Sequence, residues 1–293
     1  MDQFVFGDIG VQLNSEKFQL YPDNLISEFA VPRMPDEQNI TIRLAQMDPE
    51  QFQGAQCLRR TGGFELLRLN DRLFLMNHWA RLRFGYGIWL EDLKGNEEIP
   101  VWFNPNMNDE IPLAITRFLS TVGLHTKFLQ HRMPVLHASY IDHCGSGIIF
   151  TAPSGTGKST QAELWRQHAQ AEIINGDRVL LGKRDEKWYA HGYPCCGSST
   201  ICVNRSLPLA AIVVLAQGEK NRVETLSVPQ KIRALSSATE LFIWDPQEIE
   251  QAIGIAAEIA AQVPVFRLTC TPDKNAVDTL KQYLEGMGPY DAI

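Results

Sequence analysis

The pattern of apolar and polar residues divides the chain into a strand-rich first part and a second part in which strands and helices alternate. In the first part, short apolar runs rich in aromatic and β-branched residues are bounded by turn residues, which is typical of strands. An Asn-Asp pair between two such runs is typical of a hairpin turn. We therefore predict a mostly β, antiparallel module over residues 1–110, with strands at residues 4–6, 40–44, 64–69 and 79–84 and a turn at Asn70-Asp71.

The second part follows a polar break at residues 104–109, and we place the domain boundary near residue 110. Helical spacing from Ile111 to Arg132 predicts a helix that Pro134 ends. Strand and helix patterns then alternate, as an α/β sandwich requires. The predicted strands are residues 135–141, 148–150, 172–181, 210–215, 223–226 and 265–268, and the predicted helices are residues 161–165, 229–241, 246–262 and 275–284. The fold class is thus α/β over residues 111–293, preceded by a mostly β (α+β) module.

Composition narrows the classes of partner. The chain has 293 residues, 44% hydrophobic content and a formal charge of −7, without a long basic run, so a nucleic-acid partner is disfavoured. No signal peptide and no apolar run of about 18 residues is recognised, so we expect a cytoplasmic protein without a membrane partner. Its cysteines lack zinc-ribbon spacing. Half of a metal site at Cys195, Cys196 and Cys202 is the alternative to the reduced, buried thiols that we predict.

The most informative stretch is residues 147–160, in which an apolar strand pattern passes through a glycine-containing turn into a helix pattern. It fits G-x-x-x-x-G-K-[ST] except at the first position, where Ala152 replaces glycine. Backbone amides at a helix start can hold phosphates. A chance match is the alternative, but the flanking strand and helix are what phosphate binding requires. The predicted nucleotide-binding residues are Ser154, Gly155, Thr156, Gly157, Lys158, Ser159 and Thr160.

Two further residues are candidates for the same site. Asp177 follows Lys158 by 19 residues, where a Walker-B-type carboxylate belongs, although a solvated turn residue is the alternative. His137 precedes Lys158 by 21 residues on the strand expected to pair with the one that enters the loop, although a buried core histidine is the alternative. If the strand at 172–181 continues, Arg178 points away from Asp177. Cations that could also face the cleft are Arg178, His191, Arg205 and Lys220.

These motifs together resemble the HPr kinase and phosphoenolpyruvate carboxykinase group. The resemblance rests on the histidine-bearing hairpin before the loop, the apolar segment 172–181 with its acidic residue, and the segment 191–197 followed by the strand at 210–215. It covers roughly residues 134–285 and leaves the first module unexplained. It implies ATP-dependent phosphorylation of a hydroxyl, with His137 and the acidic residue near the γ-phosphate. That group usually has two adjacent acids, and here Gly176 stands in place of the first.

The leading hypothesis is therefore a kinase that uses ATP and Mg²⁺ to phosphorylate a hydroxyl of a peptide, protein or small metabolite. Its predicted catalytic residues are Asp177, His137 and Lys158, and its predicted metal ligands are Ser159 and Asp177. A nucleotide-binding regulatory or scaffold protein without transfer is the second hypothesis, because one carboxylate is missing. A carboxykinase-type enzyme is the third. Oligomeric state, including a homo-oligomer, stays open.

Overall fold

The chain forms two compact units, Met1–Lys127 and Phe128–Ile293. The structure is a computed structural model, and it describes residues 2–15, 18–36, 38–61, 63–79, 82–95, 97–109 and 112–287. The division falls after Lys127, whereas the sequence pattern placed it near residue 110. No helix among the described residues combines the length and the apolarity needed to cross a membrane.

The first unit is built on one sheet, whose described strands lie in the order β1-β2-β3-β8-β7-β6-β5-β4. Its elements are β1 (Asp2–Phe6), β2 (Ile9–Ser15), α1 (Asn24–Ser27), β3 (Asn39–Gln46), β4 (Gln56–Arg60), β5 (Phe64–Leu69), β6 (Arg72–Trp79), β7 (Leu82–Trp89), α2 (Leu90–Gly95) and β8 (Glu98–Phe103). The expected β module is therefore present. Most of the described strand pairs are antiparallel, and the exceptions are those of β3, which runs parallel to both β2 and β8.

One turn of this sheet was predicted from the sequence, and one reversal was not. Asn70 and Asp71 both adopt positive φ, at 49° and 61°, and they join β5 to β6 as predicted. The single strand predicted at residues 79–84 is instead a reversal, because β6 ends at Trp79 and pairs antiparallel with β7, with Trp79 opposite Leu82. Residues 80 and 81 lie outside the described part of the chain. An alternating pattern alone does not distinguish one strand from two strands joined by a tight turn.

The polar break near residue 104 is part of the first unit rather than a linker. Asn104 is buried, and its Nδ2 donates to the carbonyl of Phe84 at 2.7 Å. The helix predicted at 111–132 forms two helices, α3 (Ile115–Thr121) and α4 (Leu124–Gln130), because Gly123 between them has φ of +76°. In α3, the ring of Phe118 lies 5.6 Å from that of Phe103, so α3 packs on the first sheet.

The second unit is a mixed α/β structure, as the sequence pattern predicted. Its elements are β9 (Val135–His143), β10 (Ser146–Thr151), α5 (Lys158–Ala169), β11 (Glu172–Asn175), β12 (Arg178–Arg184), β13 (Lys187–His191), β14 (Ser206–Gln217), β15 (Arg222–Thr225), α6 (Val228–Ala238), α7 (Pro246–Gln262), β16 (Val265–Cys270) and α8 (Lys274–Gly286). The strands follow the order β10-β9-β12-β13-β14-β16-β15, with β11 on β9. Strand β10 also pairs with β14, in parallel.

Helices cover both faces of this sheet. In β10, Ile148 and Phe150 belong to a buried cluster with Trp165 of α5 and Leu280 of α8. Ile149 points to the opposite face, where the cluster includes residues of α6 and α7. This alternation follows from the two-residue period of a strand, and it explains why β10 is apolar at consecutive positions. Burial on both faces fixes the position at which β10 ends and the following loop begins.

The cysteines depart in part from the sequence expectation. Cys196 and Cys202 form a disulfide, so they are not the free thiols that we predicted. They lie six residues apart in sequence and their Cα atoms are 5.8 Å apart, and the loop between them folds back on itself through a 3₁₀ turn at Gly197–Ser199. Cys195 is buried and takes no part in a disulfide, as expected. The described residues contain no cluster of three or more His, Cys, Asp or Glu side chains arranged to hold a metal ion.

Candidate functional site

The site begins where β10 ends and α5 starts, and residues 152–157 between them are called the glycine loop below. Gly155 and Gly157 adopt φ of +78° and +117°, which L-residues with a side chain rarely do. Gly157 is the N-cap of α5, and no side chain caps this helix start. The first amides of a helix have no partner within the helix. The α5 start therefore offers backbone N–H groups beside a loop that glycine allows to turn tightly.

Lys158 is the first residue of α5, and its side chain folds back over the glycine loop. Its Nζ donates to the carbonyl of Ala152 at 3.1 Å, and the residue is buried. Burial lowers the pKa of the Lys158 ammonium, and the carboxylate of Asp177 opposes this lowering. The structure brings the start of α5, where Lys158 lies, into contact with the segment that carries Asp177, because the next residue, Ser159, donates to the carbonyl of Gly176.

Ser159 ties the start of α5 to the segment after β11. Its Oγ donates to the carbonyl of Gly176 at 3.3 Å, and Ser139 of β9 donates to the same carbonyl at 2.9 Å. Ser159 is thus held one residue from Asp177; Thr160 follows it in the helix, and both residues are exposed. Of these two hydroxyls, Ser159 is the one connected to the segment that carries the carboxylate.

The carboxylate lies on a bend formed by residues 175–177, which separates β11 from β12. The fully buried Asn175 makes this bend, because its Oδ1 accepts from the amides of Asp177 at 2.8 Å and Arg178 at 2.9 Å. Its Nδ2 donates to the carbonyl of Tyr193 at 2.6 Å. The strand therefore does not continue through Asp177, and the condition under which Asp177 and Arg178 would point to opposite faces is not met.

Asp177 is held by two cationic or titratable side chains. Its Oδ1 lies 3.0 Å from His137 Nε2, and its Oδ2 lies 2.7 Å from Arg178 Nη1. The amide of Ala138, next to His137, donates to the carbonyl of Asp177 at 2.9 Å. Thr151, the last residue of β10, donates its Oγ1 to the carbonyl of His137. The predicted histidine is thus at the site and is not a core residue.

Of the other cationic or titratable residues named from the sequence, one lies at the site and three lie elsewhere. Arg178 joins the site, whereas buried His191 contacts the Ser206 hydroxyl at 2.8 Å through Nδ1. Arg205 pairs with Asp142 and Glu172. Lys220 is exposed. The sequence pattern missed Asn175, Ser139 and Glu240 as contributors, and among these only Asn175 carried a signal, because Asn-Gly is a typical turn dipeptide.

A side chain at position 176 is excluded by the neighbouring disulfide loop. A Cβ on Gly176 would overlap the side chain of Ser199, and a Cβ on Gly197 would come within 2.8 Å of Asp177 Cγ. The loop closed by Cys196 and Cys202 therefore packs directly on the bend. With Ser199 in this place, the bend has room for the Asp177 carboxylate but not for a second one at position 176.

We expect Gly176→Ala to lower the free energy of unfolding by about 1–3 kcal/mol, because the added methyl group overpacks a filled position. Gly254→Ala is the matched control. Gly254 lies in α7 with open space around its Cα, so alanine should stabilise the protein by about 0.5–1 kcal/mol. Chemical denaturation of both variants measures the difference. Adding Ser199→Gly to Gly176→Ala should recover part of the loss, and no recovery would contradict the assigned overlap.

The fold and the site define a mixed α/β protein in which a glycine loop joins a buried strand to a helix beside a single carboxylate. The chain belongs to the family of the SynChlorMet cassette protein ScmC, whose model matches residues 103–285. It is also similar to a solved structure of the Hpr(Ser) kinase/phosphatase from Coxiella burnetii, with 12% identity over 52% of this chain and 93% of that chain and a TM-score of 0.31. No curated protein matches the chain.

Proposed function

We propose that this protein transfers the γ-phosphoryl group of ATP to a hydroxyl of a peptide, protein or small metabolite. One observation carries the proposal: the glycine loop and the start of α5, with Lys158 and Ser159, meet the segment of the His137–Asp177 pair at the C-terminal end of β10. Phosphoryl transfer depends mainly on positioning and charge neutralisation, and this arrangement supplies groups for both.

The donor side of the site suits a nucleoside triphosphate. The uncapped amides at the start of α5 and the positive end of the helix dipole favour phosphate oxygens. The Lys158 ammonium donates a hydrogen bond to the Ala152 carbonyl, and it can exchange this neutral partner for a charged phosphate oxygen. Gln217 Nε2 lies 3.4 Å from the carbonyls of Gly155 and Thr156, which supports the loop from β14.

The residues also fit Mg²⁺. The Ser159 hydroxyl and the Asp177 carboxylate are hard oxygen donors, which Mg²⁺ prefers. The hydroxyl is held by the carbonyl of Gly176, and the carboxylate is held by His137. One or two protein oxygens suffice for such a site, because Mg²⁺ keeps water and phosphate ligands. When bound, Mg²⁺ would neutralise charge on the transferred phosphate.

On the acceptor side, Asp177 is the base that we assign. Its carboxylate can accept the proton of an attacking hydroxyl at hydrogen-bond distance. His137 and Arg178 each hold one carboxylate oxygen, so the carboxylate plane is fixed before the acceptor arrives. Each oxygen has a second lone pair that can face the acceptor or the metal. Asp177 therefore serves both as a metal ligand and as a base in this proposal.

One observation favours a second candidate function, a nucleotide-dependent regulatory protein without transfer. The Ser199 side chain blocks position 176, and both oxygens of Asp177 already contact cationic or titratable groups. A site with this donor set can hold a nucleotide while lacking an efficient base. The two functions share the donor side and differ only in turnover.

Label transfer from γ-labelled ATP separates the two functions. Purified protein is incubated with ATP, Mg²⁺ and a panel of serine, threonine, glycerol, common sugars and a pooled library of Ser-, Thr- and Tyr-containing peptides. The proposed kinase labels at least one member of the panel. Saturable ATP binding without label on any member would overturn transfer and support the regulatory function instead.

A further inference from the structure

The guanidinium of Arg178 lies between two carboxylates. Its Nη1 is 2.7 Å from Asp177 Oδ2, and its Nε is 2.6 Å from Glu240 Oε1. The three side chains are partly buried, with exposures of 27% for Arg178, 25% for Asp177 and 29% for Glu240. Ion pairs that are shielded from water keep more of their electrostatic energy than exposed ones. This cluster therefore differs from the surface ion pairs elsewhere in the protein.

Glu240 comes from a distant segment, directly after α6, and is fixed to the same strand as His137. Its amide donates to the carbonyl of Val135 at 2.8 Å, and the preceding Thr239 pairs with Leu136 in a β-bridge. The contacts therefore form a series from Glu240 through Arg178 and Asp177 to His137. Glu240 is hydrogen-bonded to β9 at one end of the series, and His137 belongs to β9 at the other. The carboxylate is held between two points of one strand, so its orientation depends on all members of the series.

The charge of Arg178 is secure in these surroundings. A guanidinium stays protonated in proteins, and here it makes ion pairs with both Asp177 and Glu240. Loss of the Arg178 contact would remove the guanidinium that holds Asp177 Oδ2, and the carboxylate could then rotate about its remaining contact with His137.

We infer that Arg178 is a positioning residue for phosphoryl transfer: Glu240 orients its guanidinium, and the guanidinium fixes the orientation of the Asp177 carboxylate. The inference rests on the proposed function. It assigns Arg178 and Glu240 no contact with the reacting atoms. Their effect acts through Asp177, so it belongs in kcat, whereas ATP binding depends on the glycine loop and Lys158.

Arg178→Ala should lower kcat about a hundredfold, because a misplaced reacting group costs about this much, and change KM for ATP less than about threefold. Arg178→Lys keeps the positive charge but cannot contact both carboxylates as the planar guanidinium does, so its kcat should be intermediate. Glu240→Gln keeps an acceptor oxygen and should lose less than Glu240→Ala. The acceptor used is the panel member that the wild type labels fastest.

Chemical rescue separates positioning from general structural support. Guanidinium ion at low millimolar concentration should restore part of kcat to Arg178→Ala, because it can occupy the space between the two carboxylates. Arg205→Ala is the matched control, since Arg205 also bridges two carboxylates, Asp142 and Glu172, at the opposite end of β9. Its kcat should stay within about twofold of wild type and should not respond to guanidinium.

Each outcome decides the inference. Unchanged kcat in Arg178→Ala, or equal losses in Arg178→Ala and Arg205→Ala without rescue, would overturn the positioning role while leaving the kinase proposal intact. If Arg178→Ala does not fold, Arg178→Lys, Glu240→Gln and Glu240→Ala are the test. A wild-type kcat in all three variants would also overturn the positioning role. A wild type without transfer overturns the proposed function and this inference together.

Discussion

Asp177→Asn is expected to lower phosphoryl transfer by at least about a hundredfold, since the asparagine amide cannot act as a base and general-base contributions are of this size. The change is nearly isosteric. The bend itself should persist, because it is made by backbone amides that donate to the Asn175 side chain and not by the Asp177 carboxylate. The rate of label transfer to the best acceptor measures the loss, and the midpoint of thermal unfolding shows whether the fold is kept.

Asp142→Asn is the control for this prediction. Asp142 lies on β9 like His137, and it accepts the amide of Gly145 and pairs with Arg205 away from the glycine loop. Its loss should reduce stability slightly and leave transfer close to wild type. If Asp177→Asn retained most of the transfer rate while Asp142→Asn behaved as expected, Asp177 would not be the base.

Lys158→Ala is expected to weaken ATP binding by at least about tenfold, the equivalent of one charge-assisted hydrogen bond to a phosphate. Stability should change little, because the Lys158 ammonium is a buried cation whose hydrogen-bond partner is a backbone carbonyl. Lys183→Ala is the matched control, since Lys183 is also partly buried and pairs with Glu186 and Glu258 instead. Unchanged ATP affinity in Lys158→Ala would contradict the assignment of the glycine loop.

The sequence predicted those parts of the site that depend on local chemistry. The glycine loop lies between a strand and a helix, as its composition indicated, and the hairpin β9–β10 places Ser146 opposite His143. Helix α7 has the predicted bounds, Pro246–Gln262, because Asp245 caps it and proline occupies its first position. In each case the signal lies within a few residues of the feature.

The parts that the sequence did not predict depend on contacts between distant residues. The bend that carries Asp177 forms because the Asn175 side chain also reaches the carbonyl of Tyr193, 18 residues away. Glu240 meets Arg178 across 62 residues. The loop closed by Cys196 and Cys202 packs on Gly176 through Ser199, which lies 23 residues further along the chain. The apolar segment 172–181 therefore appears continuous in sequence, although its backbone turns at Asp177.

Calorimetric titration of ATP tests the central claim most directly, because every step of the proposed transfer requires the glycine loop to hold a triphosphate together with Mg²⁺. Wild type, Lys158→Ala and Lys183→Ala are titrated in Mg²⁺, and wild type is titrated again in excess EDTA. We predict one saturable site for wild type and Lys183→Ala in Mg²⁺, and binding at least about tenfold weaker for Lys158→Ala and for wild type in EDTA. Absence of saturable ATP binding by the wild type, or equal affinity in all four titrations, would contradict the account.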